Sequence, residues 1–351
     1  MDKENQIDVV IVGGGLSGCL LALELEKRGK SWRMFTDKHQ SISSEIAPGI
    51  VNPLVLKRYT LAWKAPLLLE GLREHYSELE SMLNDHFVSD LDLFRLFKSQ
   101  KEVDLWLEKS DNLALQPFMD EQIYEQTNPS VSRAFGLGKV KSTFRVDVKR
   151  LIHRFETVFK ANLITSCFDY ETLELQNHQL SYQNLNAKTL IFAEGFGMKA
   201  NPFFNHLPLA GSKGEWLSIK SEALQLNKIL KGGIMLRPEG EDRYQVAASF
   251  DWEDLTYNKT EKGRQWLLDR LDTMINCPYT VVDHKVGIRP TVKDRRPLLG
   301  RHPKHRQMYV FNGMGTRGLM LAPYGISMLL DKIEFGTALD QEWDIKRFET
   351  C

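Results

Sequence analysis

Gly13, Gly15 and Gly18 stand at G-x-G-x-x-G spacing, with Leu16 and Ser17 inside the motif. An apolar run, Val9 to Val12, precedes them, and a helical pattern with Leu16, Leu20, Leu23 and Leu25 apolar follows at once. Between a strand and a helix, this spacing points to dinucleotide binding. Gly13 permits the tight turn, Gly15 lets the backbone approach a pyrophosphate, and Gly18 lets the helix pack closely on the strand. The phosphates would sit at the helix N-terminus, where free N–H groups and the dipole favour negative charge. The fingerprint also expects an acid at the end of the second strand, for ribose hydroxyls. That strand is Trp32 to Phe35, with Thr36 at the acid position and Asp37 after it. The ribose contact falls either to Asp37, after a one-residue shift, or to Thr36 through a weaker hydrogen bond.

These residues need elements to hold them. Val9 to Val12 reads as a strand buried on both faces, and Gly29 is placed to end the helix. Lys188 to Phe192 reads as a second buried strand that ends in a glycine turn at Gly195 and can return to the same sheet. Met308 to Asn312 is another strand. After it come Gly313, Met314, Gly315, Thr316, Arg317, Gly318 and Leu319, opening a helix to about Ile333 that brings a second helix N-terminus towards a bound cofactor. The segment Ser41 to Pro53, with Ser43, Ser44, Ala47, Pro48 and Gly49, is either a ligand-facing loop or a surface connection.

Further along, a helix is expected over Leu67 to Leu83, a strand over 91–97, a short helix over 100–108 and irregular chain over 110–140. Asp147 has the character of an N-cap for a helix with Val148, Leu151, Ile152 and Phe155 on one stripe. Strands are expected at Leu163 to Cys167, Glu171 to Leu175 and Gln179 to Tyr182. Gly214 to Ile219, Gly233 to Arg237 and Arg243 to Ser249 read as antiparallel strands, followed by a helix over Thr260 to Ile275.

A chain of 351 residues can hold two domains. Its 42% hydrophobic and 26% charged content is globular, and a net charge of +0 offers no general attraction to nucleic acid or membrane. No apolar run approaches the ~20 residues of a membrane span. The polar residues Met1 to Gln6 run straight into the first strand, leaving no room for a signal peptide. Cys19, Cys167, Cys277 and Cys351 lack C-x-x-C spacing, so neither a metal site nor a disulfide framework is expected, and a cytoplasmic location fits.

Four separated stretches then stand in a recognisable order: Gly13 to Gly18, Ala47-Pro48-Gly49, Ala187 to Gly195, and Gly287-Ile288-Arg289-Pro290 with Asp294, Pro297 and Gly300, continued by Gly313 to Pro323. In these the chain resembles the FAD-dependent D-amino acid oxidase family. That group includes glycine oxidase, sarcosine oxidase and the oxidase half of a bifunctional enzyme that modifies wobble uridine in tRNA.

The resemblance implies an α/β protein of two parts. A Rossmann-like FAD-binding domain would comprise 1–85, 145–205 and 285–351. An inserted α+β substrate domain, 86–144 and 206–284, would be built on a mixed, largely antiparallel sheet. Gly13, Gly15, Gly18 and Asp37 would hold the ADP part of FAD. The loop from Ser43 to Gly49 would line the pyrophosphate and flavin, and the turn from Met314 to Gly318 would face the flavin pyrimidine edge. Sarcosine oxidases that attach flavin covalently use a cysteine near Gly-x-Arg-Pro. Gly287 and Ile288 stand there, so FAD would be non-covalent.

The family's Gly-x-Arg-Pro arginine, which grips a substrate carboxylate, matches Arg289. The alternative for Arg289 is a structural salt bridge. Arg317 and Arg237 are further candidates, Arg317 also as a shaper of its loop. The tyrosine that the family places on a neighbouring strand is missing from Ile234-Met235-Leu236-Arg237. The implied reaction removes a hydride from the carbon beside an amine nitrogen, and the imine hydrolyses. An N-substituted glycine or a D-amino acid would be the substrate, with oxygen, a quinone or a partner flavoprotein accepting the electrons. A second reading is oxidation of a modified wobble uridine in tRNA, with Lys293, Arg295, Arg296, Arg301, Lys304 and Arg306 either as a phosphate patch or as a solvated loop. His302 and His305 are expected at the surface.

Overall fold

The strand before the glycine motif, Gln6–Val12, lies inside an eight-stranded sheet of a computed structural model that describes residues 6–37, 43–176 and 179–348. It pairs in parallel with Trp32–Thr36 on one side and Leu185–Phe192 on the other. Side chains alternate along it. Val9 and Ile11 enter a core beneath the helices Leu16–Lys27, Val148–Val158 and Gly318–Phe335. Val10 and Val12 enter a second core with Phe168, Tyr182 and Phe204. Burial on both faces is why this strand reads as an uninterrupted apolar run. The return of the distant strand Leu185–Phe192 agrees with its sequence reading, and Met308–Asn312 extends the same sheet beyond it.

A second eight-stranded sheet runs in the order Thr280–Arg289, Ser212–Lys220, Arg243–Ala247, Met235–Gly240, Ile229–Lys231, Leu93–Leu96, Leu137–Val140 and Met119–Tyr124. Its pairs are antiparallel except that between Ile229–Lys231 and Leu93–Leu96, giving the mixed, largely antiparallel sheet of an α/β fold. One face packs Leu217, Ile219, Leu236 and Val246 against Leu267 and Leu271 of the helix Glu261–Asp272. The opposite face is left for a cavity. The residue 284/285 boundary expected from sequence falls inside the continuous strand Thr280–Arg289, because its cross-strand pairing with Ser212–Lys220 continues through Arg289.

Thr260 caps that helix, its hydroxyl accepting from the Gly263 N–H at 3.0 Å. The buried Glu215 carboxylate accepts from Thr260 N at 2.9 Å and is 2.7 Å from His284 Nε2. Thr260→Ala is expected to destabilise the protein by about 1 kcal/mol, typical of a lost cap. A denaturant titration checks it through a lower midpoint at unchanged slope.

Local patterns misread three places. The expected helix 67–83 is two helices, Ala65–Leu69 and Leu72–Leu83, because Gly71 between them adopts φ 62°. The 110–140 stretch holds the strands Met119–Tyr124 and Leu137–Val140, which pair with each other and join the sheet through Leu93–Leu96. The strand expected at Glu171 to Leu175 begins as a 3-10 turn, Tyr170–Thr172, capped by Asp169, and pairs only at Glu174–Leu175. Ser41, Ile42 and Cys351 lie outside the described residues, while Cys19, Cys167 and Cys277 are free thiols. Among the described residues, no helix is long and apolar enough to cross a membrane.

Candidate active site

The glycine turn shapes one end of a cavity of about 630 Å³. A Cβ on Gly13, which has φ 116°, would overlap the Ala193 carbonyl of the neighbouring strand. A Cβ on Gly18 would overlap the carbonyl oxygen of Gly13. Gly13, Gly15, Leu16 and Ser17 line the cavity, whereas Gly18 packs beneath the turn. The helix Leu16–Lys27 starts from Gly15 with no side-chain cap, leaving N–H groups available to an anion. Ser44 comes to the same point, its hydroxyl accepting from Leu16 N at 3.1 Å.

Of the two ribose candidates, Asp37 lines the cavity. Thr36 is buried, with its side chain packed in the space that a Cβ on Gly14 would need. Ser43, Ser44, Ala47, Pro48 and Gly49 also line the cavity. Ser43 ties this loop to the strand leading to Arg289 by donating to the Ile288 carbonyl at 2.6 Å.

From the third side come Gly195, Met314, Gly315, Thr316, Gly318 and Leu319, all lining residues. Gly315 N donates to the Pro290 carbonyl at 3.0 Å, and Asn312 Nδ2 donates to the Gly195 carbonyl at 2.8 Å. Gly313 lies behind this wall, packed on Val292 and Leu298. The helix Gly318–Phe335 also begins without a side-chain cap. Two helix N-termini that lack a cap from their own N-cap residue, in a glycine-lined cavity, suit a dinucleotide with an anionic pyrophosphate. These residues therefore fit FAD.

The far wall is the open face of the second sheet, with Gly214, Trp216, Met235, Ala247, Gly287 and Arg289 lining the cavity. Arg289 lies across Gly214, where any Cβ would collide with its guanidinium. Its carbon stands 4.5 Å over the Phe250 ring. Among the described residues its hydrogen bonds are long ones, 3.5 Å from Nη1 to the carbonyls of Lys213 and Ser249. Among the described residues it has no carboxylate partner, and burial pushes its pKa down to about 10.

The other two arginines are already engaged. Arg317 lines the cavity, but its Nη1 donates to the Asn52 carbonyl at 2.6 Å and its Nη2 to the Leu54 carbonyl at 3.1 Å. It clamps the 52–54 segment to the last helix. Arg317→Met is expected to leave two buried carbonyls unpaired, at a cost of about 2 kcal/mol. Faster proteolysis near residues 52–57 at matched temperature checks it. Arg237 is not brought to the cavity. It is buried, bonded to Glu239 at 2.8 Å, to Gln245 at 3.1 Å and to the Pro238 carbonyl.

Sequence reading missed Trp216, Lys231, Phe250 and Tyr257 on the cavity wall. Period-two spacing from Gly214 signals Trp216, but nothing local marks Lys231, Phe250 or Tyr257. His302 also departs from expectation. It is buried against Phe204 at 5.3 Å and His305 at 4.7 Å, and desolvation lowers its pKa to about 4. Its Nδ1 accepts from the N–H groups of Lys304 and His305, so it organises its turn from within. In the basic segment, Arg296 pairs with Glu342 at 3.1 Å and stacks 4.4 Å over Trp63. Lys293, Arg295, Arg301, Lys304 and Arg306 are exposed and do not line the cavity.

Known proteins agree with this architecture. A family model described as FAD dependent oxidoreductase (DAO) matches residues 8–330. Glycine oxidase of Bacillus subtilis (strain 168) is 22% identical, over 96% of this chain and 95% of its own length. The tRNA 5-methylaminomethyl-2-thiouridine biosynthesis bifunctional protein MnmC of Legionella pneumophila (strain Lens) is 23% identical, over 91% of this chain and 53% of that protein. The crystal structure of glycine oxidase from Geobacillus kaustophilus superposes with a TM-score of 0.80 at 20% identity, covering 99% of this chain and 100% of that one. With the glycine turn, the two helix N-termini and the arginine-bearing sheet enclosing one cavity, the chain belongs to the DAO family of FAD dependent oxidoreductases and takes FAD as its cofactor.

Proposed function

We propose that the protein oxidises the C–N bond of an N-substituted glycine, with Arg289 holding the substrate carboxylate. The observation that carries this reading is the buried Arg289 guanidinium, turned into the cavity without a carboxylate partner among the described residues. A planar guanidinium fork accommodates a carboxylate through two parallel hydrogen bonds. FAD, when bound, supplies the two-electron acceptor. The protein's contribution is to fix the substrate carbon beside it and to exclude water.

Met235, Ala247 and Trp216 offer an apolar surface beside Arg289, which suits an N-substituent. The carboxylates among the described lining residues are Asp37 and Glu194, and Glu194 is bound by Tyr170 and by Asn201 at 2.7 Å. Neither belongs to the sheet that carries Arg289, in keeping with a substrate that reacts as the neutral amine.

The test is anaerobic mixing of the FAD-loaded enzyme with N-substituted glycines and with free D- and L-amino acids. Bleaching of the flavin spectrum is expected with an N-substituted glycine, more rapidly than with the corresponding primary amino acid. A loaded flavin that none of them bleaches would overturn the small-substrate reading. A salt-sensitive tRNA gel shift would then be the next observation to seek.

A further inference from the structure

The sheet face that carries Arg289 also carries an unneutralised amine at its other end. Cα register aligns Trp216 with Ala247, Ala247 with Met235 and Met235 with Lys231. These four side chains form one row across adjacent strands, and all four line the cavity. The Arg289 guanidinium lies over Gly214, two residues along from Trp216 on the same strand. Three strand spacings and this offset put Lys231 and Gly214 roughly 16 Å apart at Cα.

We propose that Lys231 holds a second carboxylate of the substrate, so that the enzyme selects N-substituted glycines whose N-substituent itself ends in a carboxylate. This rests on Arg289 as the site of the first carboxylate. Among the described residues Lys231 has no ion pair. The charges around it are mostly of its own sign. Arg95, on the parallel neighbour Leu93–Leu96, donates to the carbonyls of Lys231 and Gly232 at 3.3 and 3.1 Å. Lys57 also borders the cavity, and Lys98 and Arg270 flank Gly233. The carboxylate in this group, Glu102, is taken by Arg95 at 2.9 Å, and the Tyr59 hydroxyl accepts from Arg95 at 3.3 Å. From the antiparallel side Lys231 faces the uncharged Met235.

Burial, with Arg95 adding to it, pushes the Lys231 pKa down to about 8. An anion beside Lys231 would relieve both effects. Lys231 is too distant to serve as the base for the reacting amine. That nitrogen lies one carbon from the carboxylate on Arg289, whereas direct proton transfer needs an approach of about 3 Å.

Non-oxidisable acids test the binding without turnover. The FAD-loaded enzyme would be titrated with straight-chain dicarboxylates from succinate to azelate and with monocarboxylates of matching length, reading Kd from perturbation of the flavin spectrum. Preference for the diacid is expected to rise with chain length and to reach about ten- to a hundredfold among pimelate, suberate and azelate. In Lys231→Met that preference should fall towards unity.

In the unaltered enzyme the preference should also fall as pH rises through about 8, where free Lys231 loses its proton. The pH series needs no variant and so stands even if Lys231→Met folds poorly. A diacid preference that is absent at every length, or that persists in Lys231→Met and above pH 8, overturns the proposal. In that case, monocarboxylate binding that still depends on Arg289 would leave the amine-oxidation reading standing. Loss of that dependence would remove the basis of both.

Discussion

Replacing Arg289 by methionine is expected to lower kcat/KM for the N-substituted glycine by roughly thirtyfold to several thousandfold, the effect of truncating one partner of a buried charge pair at about 2–5 kcal/mol. Most of the loss should appear in substrate binding, because the guanidinium grips a group that does not itself react. Stopped-flow flavin reduction over a range of substrate concentrations separates the two parameters. Thermal stability should be unchanged or higher in the variant. The native arginine is buried on Phe250 with only 3.5 Å contacts to backbone carbonyls, so its desolvation is poorly compensated until a carboxylate arrives. A threefold or smaller change in kcat/KM would remove Arg289 from the substrate site. A fall in melting temperature without a change in KM would assign it a structural role.

The second large effect is expected at Gly18. A Cβ there meets the Gly13 carbonyl, so Gly18→Ala must push the helix Leu16–Lys27 away from the turn that it supports. Overpacking of this kind costs about 3 kcal/mol. In a chain of this size that lowers Tm by roughly 4 °C. Displacement of the helix N-terminus should also prevent retention of FAD, read as the ratio of flavin to protein absorbance after gel filtration. Gly29→Ala is the matched comparison. Gly29 adopts φ 65° just after the same helix, and no atom stands within 4 Å of a Cβ built on it. It should cost only the backbone penalty of about 1 kcal/mol and keep its flavin. If Gly18→Ala keeps full flavin, close packing of this helix on the strand is not what holds the cofactor.

The N-terminal strand, its glycine turn and the following helix were legible because each depends on neighbours in the chain. An apolar run reports burial on two faces, and glycine spacing reports where backbones must approach. Asp147 was readable for the same reason, since its carboxylate caps its own helix by accepting from Arg150 N at 3.1 Å. The four motifs, taken in order, also led to the family and to FAD. The break at Gly71 was a local signal that the apolar stripe on either side concealed.

What the chain could not disclose locally was which side chains share a face after distant strands align. Arg237 and Arg289 are both arginines on strands of one sheet, yet Glu239 and Gln245 occupy the first, while Gly214 opens space for the second. Lys231 looks like an ordinary solvated lysine until pairing with Met235 places it in the cavity row. A one-residue change of register would turn each of these side chains to the opposite face. The sequence by itself determined the nucleotide-binding turn and the chemistry its cofactor brings. Only the tertiary structure decided which charges are spent within the protein and which remain for a substrate, because that choice depends on cross-strand register, which for Gly214 and Arg289 joins positions 75 residues apart.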